Sequence, residues 1–146
     1  MSCTRTLSNE VILEALRCCR DVYPHSEDFL VSRKITGHSL GGATATLIAD
    51  LLWESGNKNI ALVTAGAPRP GGRALRKRLE GLEILRFVHG NDIVPNTPPF
   101  ITGYVHPHHK IQLEDISETR FDGVTDHNIG DYVKAAEKYF AVKTES

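Results

Sequence analysis

One serine in this chain stands among small residues in a way that could make it a nucleophile. Gly37-His38-Ser39-Leu40-Gly41 follows the spacing glycine, any residue, serine, any residue, glycine. The spacing alone recurs by chance, so its flanks matter. The strand-like run 29–36 comes before it, and the apolar run 43–53 follows it with helical character. The serine therefore falls on a sharp strand-to-helix turn, which lifts its hydroxyl clear of a sheet. The helix start also brings backbone N–H groups and the positive end of the dipole toward that hydroxyl. The N–H of Leu40 is the candidate donor to an oxyanion. Gly37, His38 and Gly41 complete the elbow, and side chains at the two glycines are expected to collide where helix meets strand. The competing reading is a glycine-rich turn that merely starts a helix, with Ser39 as its N-cap.

A serine needs a base to take its proton and a third group to orient that base. In hydrolases built on this turn the chain order is serine, acid, histidine. Asp92 follows the apolar run Ile84–Val88, in His89-Gly90-Asn91-Asp92-Ile93-Val94-Pro95, and is the candidate acid. An aspartate that only caps its own turn is the alternative. Of seven histidines, His127 has the right order and precedes an amphipathic stretch that could hold it over the sheet. A capping or solvated histidine is the plainer reading. His25 comes too early, His38 adjoins the serine and reads as a packing or hydrogen-bonding residue, and His89 reads as loop support. His106, His108 and His109 invite a metal, yet no further ligand of suitable spacing joins them, so no metal and no cofactor is expected.

These residues need a scaffold. The spacing predicts helices over 9–22, 43–53, 73–82 and 128–142, and strands over 29–36, 60–64, 84–88 and 111–114. Ser8 is the expected cap of the first helix, whose apolar set is Val11, Leu13, Leu16, Cys18 and Cys19. Tyr23-Pro24-His25 ends it. Strands alternating with helices imply an α/β architecture with a mostly parallel sheet and helices on both faces, in one domain over residues 1–146. Sites in such sheets lie at the carboxyl ends of the strands. The 17 basic and 18 acidic residues nearly cancel, which gives no reason to expect nucleic acid as a partner. Cys3, Cys18 and Cys19 do not suggest a disulfide framework. No secretory leader and no membrane-spanning run is recognisable, so a cytoplasmic location is the expectation.

The segment 35–43 resembles the nucleophile elbow of the class 3 lipases, the fungal triacylglycerol lipase group. So does Thr64-Ala-Gly-Ala-Pro-Arg-Pro-Gly71, and Arg86–Pro95 resembles that family's acid segment. Pro98-Pro99 with Gly103, Tyr104 and His106 resembles the downstream loop, and His127 with Tyr132 the base segment. The resemblance implies a partial α/β-hydrolase fold, the triad Ser39, Asp92 and His127, and a carboxylic-ester substrate such as an acylglycerol at a lipid–water interface. It also implies that early strands, the lid and a second oxyanion donor belong to a preceding half with no counterpart here. The strand carrying Ser39 would then have a bare edge, which invites pairing with a second copy. Alternatives to ester hydrolysis are acyl transfer, or a catalytically weak remnant that binds lipid or a partner chain. Position 65 is alanine where the family commonly has an aromatic.

Overall fold

The computed structural model describes residues 8–21, 34–114 and 125–144. Expectations for Cys3, for the Tyr23–His25 helix end, for His25 and for the strand segment 29–33 lie outside these residues, as do the side chains of Cys18 and Cys19.

The first helix, α1, is Asn9–Asp21. The Ser8 hydroxyl accepts from the Val11 N–H at 3.4 Å, as a cap should. Its buried stripe is Ile12, Ala15 and Leu16, with Leu13 partly buried; Val11 is not in the core. Four strands follow: β1 Lys34–His38, β2 Ala61–Ala65, β3 Glu83–His89 and β4 Lys110–Leu113. They lie in the order β1-β2-β3-β4, every pair parallel. Between them run α2, Leu40–Glu54, and α3, Arg73–Arg78; α4, Ile129–Thr144, closes the described chain.

Side chains alternate across a strand, so the sheet feeds two cores. Val63, Ala65, Phe87 and Leu113 pack with α1 and α4, where Tyr132, Val133, Ala136 and Phe140 form the buried face. Ile35, Leu62 and Ile84 pack on the opposite face with Ala45 and Ala49 of α2 and Leu75 of α3. All five residues of β2 are buried, as expected of a parallel strand covered on both faces. Ion pairs brace each helical layer: Arg17–Glu137 links α1 to α4 at 2.6 Å, and Arg78–Asp50 links α3 to α2 at 2.6 Å.

Most element ends differ from the sequence reading by a residue or two, and the nucleophile turn and the third helix by more. The strand β1 extends to His38 and α2 begins at Leu40, so the turn between them is Ser39 alone. The third helix stops at Arg78, and Leu79 to Leu82 descend in turns. Gly41 is not needed for packing, because a side chain there would meet nothing within 4 Å. The close contacts are at Gly37, where a Cβ would overlap the Gly41 carbonyl, and at Gly42, where it would stand 2.6 Å from Ala67 Cβ. Helical geometry explains the shift: with α2 starting at residue 40, Gly42 faces the loop after β2 while Gly41 faces outward. Among the described residues, no helix is long and apolar enough to cross a membrane.

Candidate active site

Ser39 has φ 56°, and is the one non-glycine residue with positive φ among the described residues. That conformation costs about 1–3 kcal/mol and persists only where the surroundings enforce it. Here β1 delivers the chain to Ser39, whose N–H bonds the Ala65 carbonyl at 3.0 Å, and α2 departs at once. The Ser39 side chain makes no capping bond to α2. Its Oγ lies 2.7 Å from His127 Nε2 instead, so the N-cap reading does not describe this serine. Leu40 opens α2, where an N–H has no acceptor one turn back in the helix.

His127 ends a short 3₁₀ turn, Thr125–His127, just before α4. Its Nδ1 lies 2.8 Å from Asp92 Oδ2. A carboxylate only accepts, so Nδ1 carries the proton and Nε2 is left to accept from the Ser39 hydroxyl. Two contacts fix this turn. His38 Nε2 donates to the His127 carbonyl at 2.9 Å, its ring stacked 4.6 Å from the His127 ring. The Asp126 carboxylate accepts from the Asn91 N–H at 2.7 Å, which ties the base turn to the acid loop. Burial, and then the neighbouring His127, lower the pKa of His38. A neutral His38 with Nε2 engaged by a carbonyl is a support and not a second base.

Asp92 divides its two oxygens. Oδ1 accepts from the Val94 N–H at 2.9 Å, so the turn-capping reading holds for that atom. Oδ2 accepts from His127 and from the Tyr132 hydroxyl at 2.6 Å. Burial, and then the bond to Asp92, raise the Tyr132 phenol, which stays a donor. The Asp92 side chain is fully enclosed, while that of His127 is 20% exposed. Gly66 lies beneath this junction with φ +58°, and a Cβ there would stand 2.8 Å from Asp92 Oδ2 and 3.1 Å from His127 Cε1.

The structure therefore brings together Ser39, Asp92 and His127, with His38 and Leu40 beside them. His89 is buried and its Nδ1 bonds the Asp126 carbonyl at 3.1 Å, in keeping with loop support. His106 bonds the Pro95 carbonyl at 2.7 Å, and His108 and His109 pack edge to face. Sequence reasoning missed Gly66 and Asp126. A glycine directly after an apolar strand was the available signal for the first; for the second, none was present beyond its place next to His127.

A parallel sheet with helices on both faces, and a serine on a strained strand–helix turn bonded to a histidine and then an aspartate, define the α/β-hydrolase fold class. The sequence model of the lipase (class 3) family matches residues 6–102, and the chain belongs to that family. It is 40% identical over 79 residues to a lipase of Rhizopus niveus, covering 50% of this chain and 20% of the relative. It is 30% identical over 121 residues to the chloroplastic phospholipase A1-Igamma2 of Arabidopsis thaliana, covering 76% of this chain and 23% of the relative. The solved Rhizomucor miehei lipase propeptide complex superposes with a TM-score of 0.56 at 34% identity, over 67% of this chain and 40% of that one. The chain thus spans about a fifth to a quarter of the length of these curated relatives.

Proposed function

We propose that this chain carries the nucleophile, acid and base of a lipid carboxylic-ester hydrolase, with acylglycerols or related esters as substrate. The observation that carries the reading is the unbroken relay from Ser39 Oγ through His127 to Asp92, at 2.7 and 2.8 Å. In the proposed reaction Ser39 Oγ attacks the ester carbonyl while His127 Nε2 takes its proton. Negative charge collects on the former carbonyl oxygen, where the Leu40 N–H donates to it. The intermediate collapses, His127 returns the proton to the departing alcohol, and an acyl ester remains on Ser39. Water then attacks that ester with His127 again as base, which releases the carboxylic acid. Asp92 holds the productive tautomer and stabilises the imidazolium. An alcohol in place of water would give acyl transfer through the same groups.

Incubation with a fluorophosphonate probe, alongside hydrolysis of short and long p-nitrophenyl esters, tests the reading. Labelling and turnover are expected in the 146-residue chain and lost in Ser39→Ala and His127→Ala. A folded protein that is neither labelled nor active would overturn the hydrolase reading in favour of a lipid- or partner-binding remnant.

We also propose that two copies associate through the face beside β1. Among the described residues β2 is the one strand that pairs with β1. The adjoining α2 exposes Leu40, Leu47, Ile48 and Leu51. Large apolar side chains exposed together on one helix favour association. Light scattering is expected to give a dimer or larger species, and a clean monomer counts against it.

A further inference from the structure

Behind the acid loop lies a cavity of about 550 Å³ that the proposed reaction does not use. Its floor is the α2–α3 face of β3 and β4, covered there by the loop between the two strands. Arg86 and Lys110 are register partners on these adjacent parallel strands, so two cations stand side by side on one face of the sheet. Arg69, from the loop after β2, and Arg76 of α3 add two more to the lining. Against them, among the described residues, the lining holds one carboxylate, Asp92. Both its oxygens are already engaged, by Val94, His127 and Tyr132.

Like charges on neighbouring strands repel, and a buried cation without an anion is costly. Arg86 is 8% exposed, and its bond is to a neutral carbonyl, that of His108, at 3.3 Å from Nε. Arg69 is likewise directed to carbonyls, those of Asn96 and Pro98. Among the described residues no carboxylate is within ion-pair distance of Arg69, Arg76 or Arg86. Burial foremost, with Arg69 adding to it against an opposing influence of Tyr132, lowers Arg86 to about 10, so it remains charged at neutral pH. His106 also lines the cavity. Its Nε2 serves the Pro95 carbonyl, and its Nδ1 is buried with no partner among the described residues.

We propose that this cavity binds a phosphate group carrying a P–OH, either inorganic phosphate or a singly ionised phosphomonoester. The charged oxygens would meet Arg86, Arg76 and Lys110, and the P–OH would donate to His106 Nδ1. A carboxylate or a phosphodiester supplies the charge and lacks that donor, and sulfate lacks it at neutral pH. The group could come free from solution or on a phosphomonoester lipid headgroup.

Titration of the 146-residue chain with inorganic phosphate by calorimetry tests the site, with sulfate as control. Saturable one-to-one binding is expected, and sulfate should bind about tenfold more weakly for want of one hydrogen bond to the buried ring. Loss of a charged contact in Arg76→Gln, an exposed position that leaves the core intact, should weaken phosphate about tenfold or more. Arg86→Met should abolish binding. Flotation with phosphatidic acid vesicles, against phosphatidylcholine vesicles, separates the sources. Capture on phosphatidic acid that free phosphate reverses supports a lipid headgroup; phosphate binding without capture supports the free ion. Absent saturable phosphate binding by folded wild-type protein, binding unchanged in Arg76→Gln, or equal affinity for sulfate would overturn the proposal.

Discussion

On one side of Asp92, Ser39, His127, Asp92 and Tyr132 form a closed chain of hydrogen bonds in which each donor has its acceptor. On the other side, Arg69, Arg76, Arg86 and Lys110 line a cavity in which Arg69 and Arg86 bond carbonyls and, among the described residues, Asp92 is the one carboxylate. The same loop, residues 90–96, serves both. A polar network complete within the protein is preorganised: its groups are already oriented toward the charge that develops during reaction. A cluster of like charges is the reverse case, and its electrostatic energy improves only when something from outside arrives. On the two proposals made above, the difference separates a site that acts from a site that receives.

The largest expected effect comes from opening the closed side. In Asp92→Asn, the amide can present an N–H where His127 Nδ1 already carries one. The imidazole must then flip its tautomer, and Nε2 can no longer accept from Ser39. Ester hydrolysis should fall by about 10⁴-fold in kcat, with the fold intact by circular dichroism. An activity within tenfold of the parent would mean that the 2.8 Å contact between His127 and Asp92 does not set the tautomer.

A smaller loss is expected where the same network is squeezed instead of cut. Gly66→Ala places a methyl 2.8 Å from Asp92 Oδ2 in a residue with φ +58°. The backbone conformation alone costs about 1–2 kcal/mol for a residue with a Cβ. Displacement of the acid–base pair by a fraction of an ångström to an ångström should lower kcat by about 100-fold. Denaturant unfolding and ester hydrolysis measured together check both effects, and a change in stability without a change in rate would place Gly66 outside the site.

How much of this was legible beforehand follows from the range of the interactions. Ser39 was readable because its constraint is local: the glycines, the strand before and the apolar helix after all lie within about fifteen residues. Asp92 and His127 were readable by their order and by the elements they follow or precede. Among the described residues β2 and β3 showed as apolar runs and α1 and α4 by their helical period, with ends displaced by a few residues because capping and packing set the termini. Gly41 was misassigned and Gly42 overlooked, since the outcome hinges on where within one turn α2 begins. The Asp126–Asn91 bond and the pairing of Arg86 with Lys110 were invisible, because each joins residues more than twenty positions apart. Arg86 read as part of an apolar strand segment, and Lys110 fell just outside the predicted strand 111–114. Only the register of β3 against β4 makes them neighbours.

The smallest effect belongs to the cationic side and tests how far His106 is withdrawn from water. Burial first, and then Arg86, lower His106 from the ordinary 6.5 to about 4. The folded protein then keeps this ring neutral to about pH 4, whereas the unfolded chain takes up a proton near 6.5. Between those values the unfolded state binds more protons, so stability falls as pH falls through that window. At full strength the shift is equivalent to about 3 kcal/mol, and partial exposure of the ring screens it to about 1–2 kcal/mol. His106→Gln keeps a donor for the Pro95 carbonyl and removes the titration. Its stability should therefore decline less than the parent's between pH 6.5 and 4 by about 1–2 kcal/mol in denaturant unfolding at each pH. Coincident profiles would mean that His106 accepts its proton freely beside Arg86 and Arg69. The cations would then be screened by water, and the two sides of Asp92 would differ in composition but not in energy.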